Sequence, residues 1–223
     1  MNVHEFCMAI RENKDLYTQQ EYENLCDQWQ KEYHEYLKKK DSNSYPLIPP
    51  TDPRLLMKIA PYTDDMLKEF KIEDRKDLSK KMYNSMVKYG GIGLSCNQVG
   101  LPFRMFVMGG HPQIEDGKVR NCFNPLIKDM SEETINMKEG CLSFPFLFLN
   151  ITRPKWCSVK YTDQHGKEIE ETLHGMPARV FQHENEHMNG YVFTDLVSKF
   201  KLERAEKARM KMIKDFAKGG AIR

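Results

Sequence analysis

The sequence predicts an α+β fold, and three observations carry that prediction. Both ends of the chain show apolar residues at helical spacing among many charges. The middle shows short alternating segments punctuated by Gly, Pro and Asp. The two textures are segregated along the chain rather than alternating strand by helix.

At the start, Tyr22, Leu25, Trp29, Tyr33 and Tyr36 fall three or four residues apart, which predicts an amphipathic N-terminal helical extension over residues 1–45. The run Asp41-Ser42-Asn43-Ser44, followed by Pro46, Pro49, Pro50 and Pro53, marks a linker into the main domain. Residues 63–90 read as helix, stopped by Gly90-Gly91. Arg104–Met108 reads as a strand. Trp156–Tyr161 alternates, turns at Asp163-Gln164-His165-Gly166, and returns as a second strand over Glu168–Leu173. Pro177 precedes a helix over Ala178–Met188 that Asn189-Gly190 should end. From Lys199 a different helix begins, with Leu202, Ala205, Met212 and Phe216 able to share one side. Lys201, Arg204, Lys207, Lys211, Lys214 and Lys218 form a basic stripe on another. The expected domains are therefore 1–45, 46–198 and 199–223.

Composition excludes several classes. The chain has 223 residues, 40% apolar and 30% charged, which suits one domain with an appendage. No segment approaches the ~18 continuous apolar residues that a membrane-spanning helix needs, so no membrane partner is expected. Twelve Phe, ten Tyr and two Trp argue against a disordered chain. A net charge of +2 creates no bulk attraction to nucleic acid, so no DNA partner is expected. The opening MNVHEFCMAIRENKD lacks an apolar core and carries acids early, so no export leader is expected. The six cysteines contain no C-x-x-C pair, and they are expected to be reduced thiols in a cytoplasmic setting.

The strongest motif is His183-Glu184-Asn185-Glu186-His187. On a helix, residues i and i+4 share a face, so both imidazoles can bind one metal ion. Glu184 projects beside them and can take a proton from water held by that ion. Two imidazoles leave the ion short of a third protein ligand. A third histidine is excluded, because Phe193 stands where a metzincin-type protease would place it. A downstream carboxylate, Glu203 or Glu206, would make a thermolysin-like protease. Upstream, Cys141 in Glu139-Gly140-Cys141-Leu142-Ser143 could supply a thiolate.

Three segments in order resemble the peptide deformylase family: Gly91-Ile92-Gly93-Leu94-Ser95-Cys96-Asn97-Gln98-Val99-Gly100, Glu139-Gly140-Cys141-Leu142-Ser143, and Gln182-His183-Glu184-Asn185-Glu186-His187. The resemblance runs from about Pro46 to Leu196. Ser95 and Cys96 stand where the family usually has alanines, Asn97 where it often has proline or threonine, and Glu186 where it usually has aspartate.

The resemblance implies a deformylase-like fold, with antiparallel sheets around a central metal-binding helix. It implies hydrolysis of the formyl group from the N-terminal methionine of new peptides, releasing formate. The implied ligands are Cys141, His183 and His187, with Glu184 as the proton carrier. The Gln98 amide and the backbone N–H of Leu142 are the implied oxyanion donors. Gly93 would let substrate lie alongside as an added strand, with Ile92 and Val180 near the methionine side chain. One divalent ion per chain is implied, iron(II) before zinc, nickel or cobalt. Such peptides emerge from ribosomes, so the basic C-terminal helix is expected either to rest on ribosomal RNA or to pack on the body as a solvated helix. A cytoplasmic location, or the translating compartment of a host or organelle, follows from the same substrate. From another class, a protein of this fold could merely bind peptide N-termini.

Overall fold

The computed structural model describes residues 43–112 and 114–217, with side chains described as far as residue 211. The helix expected over 1–45 lies, apart from its last three residues, outside the described residues. So do the side chains of Met212, Lys214, Phe216 and Lys218. Asn43–Ala205 form one compact unit, and Glu206–Arg223 belong to a second one.

Among the described residues, the first helices are α1, Met66–Glu69, and α2, Arg75–Lys88. A continuous helix over 63–90 was expected, but the chain breaks between them. Lys71 turns into the left-handed region (φ 55°) and the Ile72 N–H returns to the Leu67 carbonyl at 3.1 Å. Asp74 then opens α2 afresh, its carboxylate accepting the Asp77 N–H.

Five strands form one antiparallel sheet: β1 Gly93–Ser95, β2 Met105–Gly109, β3 Val119–Met130, β6 Trp156–Thr162 and β7 Glu168–His174, in the order β1-β2-β3-β6-β7. β4, Thr134–Cys141, and β5, Phe144–Pro154, make a separate antiparallel hairpin. The long helix α3 covers Gly175–Met188, and α4 covers Lys199–Ala217.

Strand β2 shows why the sheet holds helices on both faces. Its five residues are all buried, but they alternate in direction. Met105 and Val107 join Leu78, Met82 and Met86 of α2, with Leu94, Phe103 and Phe123. Phe106 and Met108 face the other way, toward Ala178, Val180, Phe181 and Met188 of α3. Phe106 and Phe181 meet edge to face, with ring centroids 5.0 Å apart. The β4–β5 hairpin buries Leu147, Leu149 and Ile151 with Cys141 and Phe193, and Leu202 and Ala205 of α4 pack against them. α3 is thus the central element of the unit, packed on the sheet and touching the hairpin.

Gly190 ends α3. It sits at φ 80°, and a Cβ there would lie 2.6 Å from the Leu56 carbonyl oxygen. Both the left-handed turn and the close approach exclude a side chain. Within the described residues, no helix is long and apolar enough to cross a membrane.

Candidate active site

Helix α3 carries His183, Glu184 and His187, which are 8%, 4% and 1% exposed. Charged and polar side chains are placed inside a core only where partners meet them. The partner elements are the end of β4 and the loop after β1. Cys141 is the last residue of β4, and its sulfur lies 3.3 Å from Nε2 of His187. The ligating atoms of Cys141, His183 and His187 all lie within 4.8 Å of one another.

Orientation of the first imidazole comes from the strand. Glu139 sits two residues before Cys141, on the same face of β4, and its Oε2 accepts from His183 Nδ1 at 3.2 Å. That leaves His183 Nε2 as the ring atom on the Cys141 side. Burial alone would raise the Glu139 pKa, but hydrogen bonds from His183 and Arg153, and their charges, bring it down to about 2. Arg153 grips Glu139 through two nitrogens (2.7 and 3.0 Å) and Glu186 through two contacts (2.6 and 2.9 Å). Arg179 also bonds Glu139, and it donates to the Ile135 and Ile151 carbonyls at 2.7 and 3.1 Å. The longer side chain of Glu186 therefore still reaches this buried network.

These residues fit a divalent ion. His187 Nδ1 is buried without a hydrogen-bond partner among the described residues, and burial, then the charges of His183 and Arg153, hold this imidazole well below its ordinary pKa. A neutral imidazole is the form that coordinates. Two imidazole nitrogens and one sulfur suit zinc, iron(II), nickel or cobalt alike.

Beside them stands Glu184. Burial raises its pKa above the ordinary carboxylate range, opposed by the charge of His183 and a hydrogen bond from Ser95. The Ser95 hydroxyl donates to Glu184 Oε2 at 2.5 Å. Gln98 is 1% exposed. Its Oε1 accepts the Ser95 N–H at 2.8 Å, and its Nε2 donates to Ser143 Oγ at 3.1 Å while lying 3.4 Å from the Cys141 sulfur. The amide is therefore turned toward Cys141 by bonds at both ends.

Gly93 is needed for close approach: a Cβ there would fall on Glu184 Oε1 and lie 2.8 Å from Val180 Cγ1. Ile92 packs against the same apolar cluster as Val180, so Ile92, Gly93 and Val180 are brought together. Leu142 occupies the turn between β4 and β5, and its side chain lies where a Cβ on Gly91 would come within 2.6 Å.

The carboxylate alternative finds no support in this geometry. Glu203 is exposed, and Glu206 pairs with Arg209 along α4 at 3.1 Å. Among the described residues, the grouped donors are Cys141, His183 and His187. Sequence reasoning gave no role to Glu139, Arg153, Arg179 or Ser143. Nor did it assign one to Asn97, whose Nδ2 donates to the Leu55 and His187 carbonyls at 3.1 and 2.9 Å. The available signal was the strand period, which places Glu139 on the inward face with Cys141.

Comparison with known proteins agrees with this arrangement. The family described as polypeptide deformylase matches residues 46–203. A peptide deformylase of Thermotoga maritima is 42% identical over 126 residues, covering 56% of this chain and 74% of that protein. One from Erythrobacter litoralis is 35% identical over 184 residues, covering 72% and 93%. The crystal structure of peptide deformylase from Ehrlichia chaffeensis superposes with a TM-score of 0.65 at 34% identity, covering 78% of this chain and 99% of that one. With most of its length inside the matched region and its fold shared with solved members, the chain belongs to the polypeptide deformylase family.

Proposed function

We propose that the deformylase reaction of this chain, hydrolysis of the formyl group on the N-terminal methionine of a newly made peptide with release of formate, runs on Cys141, His183 and His187 as metal ligands and Glu184 as proton carrier. The convergence of those three donor atoms, with the Glu184 carboxylate buried on the next turn-face of the same helix, carries this reading. A divalent ion held by three protein ligands supplies Lewis acidity toward water and carbonyl oxygen. Iron(II) is the ion we favour, with zinc, nickel and cobalt as substitutes.

The remaining chemistry belongs to the chain. Glu184 takes the proton from the attacking water and returns it to the leaving amine. Gln98 Nε2 and the Leu142 N–H donate to the oxygen on which charge develops, and losing one such donor costs about 2.7–4 kcal/mol of transition-state stabilisation. Gly93 leaves β1 bare where the substrate backbone runs, and Ile92 and Val180 border the methionine side chain.

The test is direct. Protein loaded with iron(II) without oxygen should release formate from formyl-methionyl peptides, and a chelator should abolish release. Failure of the loaded protein to release formate would leave only peptide binding.

The basic residues of α4 support a further proposal, contact with ribosomal RNA in the compartment where translation occurs. Lys199, Lys201, Arg204, Lys207 and Lys211 are exposed on this helix. Phosphate contacts weaken steeply with salt. Co-sedimentation with ribosomes should therefore fall as salt rises and be lost on truncation after Ser198; binding unchanged by the truncation removes the idea.

A further inference from the structure

We propose that Ser95 is a positioning residue for Glu184: its hydroxyl holds Oε2, so that Oε1 is the oxygen that carries the proton between water and amine. This rests on the deformylase reading and adds to it a residue that the family usually replaces with alanine.

Three observations converge. The first is the bond itself. Ser95 is fully buried, and its Oγ lies 2.5 Å from Glu184 Oε2 and 3.2 Å from the Glu184 backbone carbonyl. A hydroxyl carries one proton and rotates freely about its bond. Among the described residues, both acceptors that it bonds belong to Glu184, so Ser95 stays anchored to α3 through either one. A carboxylate without that partner would have a buried oxygen unmatched, and nothing in this contact would decide which oxygen it turned outward.

The second observation concerns the other oxygen. Gly93 stands two residues before Ser95 on β1, so both present the same face toward α3. A Cβ on Gly93 would overlap Glu184 Oε1. Oε1 therefore lies over bare backbone while Oε2 lies against a hydroxyl. The strand treats the two oxygens of one carboxylate differently: Oε2 meets a hydroxyl and Oε1 meets a residue without a side chain.

The third is that Ser95 serves two groups at once. Its N–H bonds Gln98 Oε1 at 2.8 Å, which sets the amide that faces Cys141. Any residue except proline could supply that backbone bond. Only the hydroxyl distinguishes serine from alanine here, so substitution by alanine separates the two contributions.

The experiment compares metal-loaded wild type with Ser95→Ala. We expect kcat for formate release to fall about tenfold, the size of a lost hydrogen bond to a charged group. KM should stay within twofold, and metal content should match wild type. The crystal structure of Ser95→Ala should show the Glu184 carboxylate turned away from its wild-type rotamer. The assignment is overturned if kcat stays within twofold, if the carboxylate does not move, or if the loss comes through KM, metal content or unfolding. A wild type that releases no formate sinks the deformylase reading and this assignment with it, whereas an active wild type matched by Ser95→Ala sinks the assignment alone.

Discussion

Glu184→Gln should lower kcat for formate release by about 10²–10⁴-fold, the range a positioned acid–base group contributes, while KM and metal content should stay near wild type. The substitution is close to isosteric, and the amide oxygen can still accept from the Ser95 hydroxyl that now bonds Oε2 at 2.5 Å. What it removes is the ability to take a proton. In the folded chain that ability is enhanced, because burial raises the Glu184 pKa more than His183 and Ser95 lower it. A carboxylate with raised affinity for protons is better matched to accepting one from water and giving it up to an amine. The amide also replaces a buried charge with a neutral group, so the variant should fold at least as readily as wild type. Steady-state kinetics with metal analysis on the same samples gives the measurement. A loss below tenfold would mean that another group moves the proton.

Much of this site could be read before its geometry was known, and the reason is local. His183, Glu184 and His187 sit on one helix, where spacing alone fixes their common face. The breaker Asn189-Gly190 likewise announced the end of α3, which the structure places at Met188. Cys141 is a different matter. It comes from the end of a hairpin, so its approach to His187 depends on how β4 packs, and the residues alone left a thiolate and two carboxylates in contention. Resemblance to a family selected the thiolate, and the 3.3 Å sulfur–nitrogen distance agrees with it. The network behind it was hidden for the same reason. Glu139, Arg153, Arg179 and Glu186 lie on β4, β5 and α3, and no periodicity within any one element pairs them. The β4–β5 hairpin itself carries exposed Ile135 and Phe148 beside buried positions, which blurs the alternation that would have marked it. The single helix expected over 63–90 failed where Lys71 turns left-handed, a local event that an apolar pattern does not report.

Cys141→Ala should abolish stoichiometric metal binding and formate release together. Removing a group that merely hydrogen-bonds a ligand typically costs about 10–100-fold in metal affinity, and removing a ligand from a set of three should cost more. Among the described residues, no other donor joins the group of Cys141, His183 and His187. Glu139 is committed to His183 and to two arginines, and Glu184 Oε2 is held by Ser95. Gln98 Nε2, 3.4 Å from the sulfur, is a donor rather than an acceptor on that side. The cavity left by the sulfur would be bordered by Phe193 and Leu147 from the same apolar cluster, which offer nothing to coordinate. Fold should survive, since the cluster retains Leu149 and Ile151 and a cysteine is a small member of it. Metal per chain, measured after dialysis against a fixed free-ion concentration, together with circular dichroism, separates loss of the ligand from loss of structure. A folded Cys141→Ala protein that kept one ion per chain would place the third ligand elsewhere, and with it the hydrolytic chemistry assigned to this face of α3.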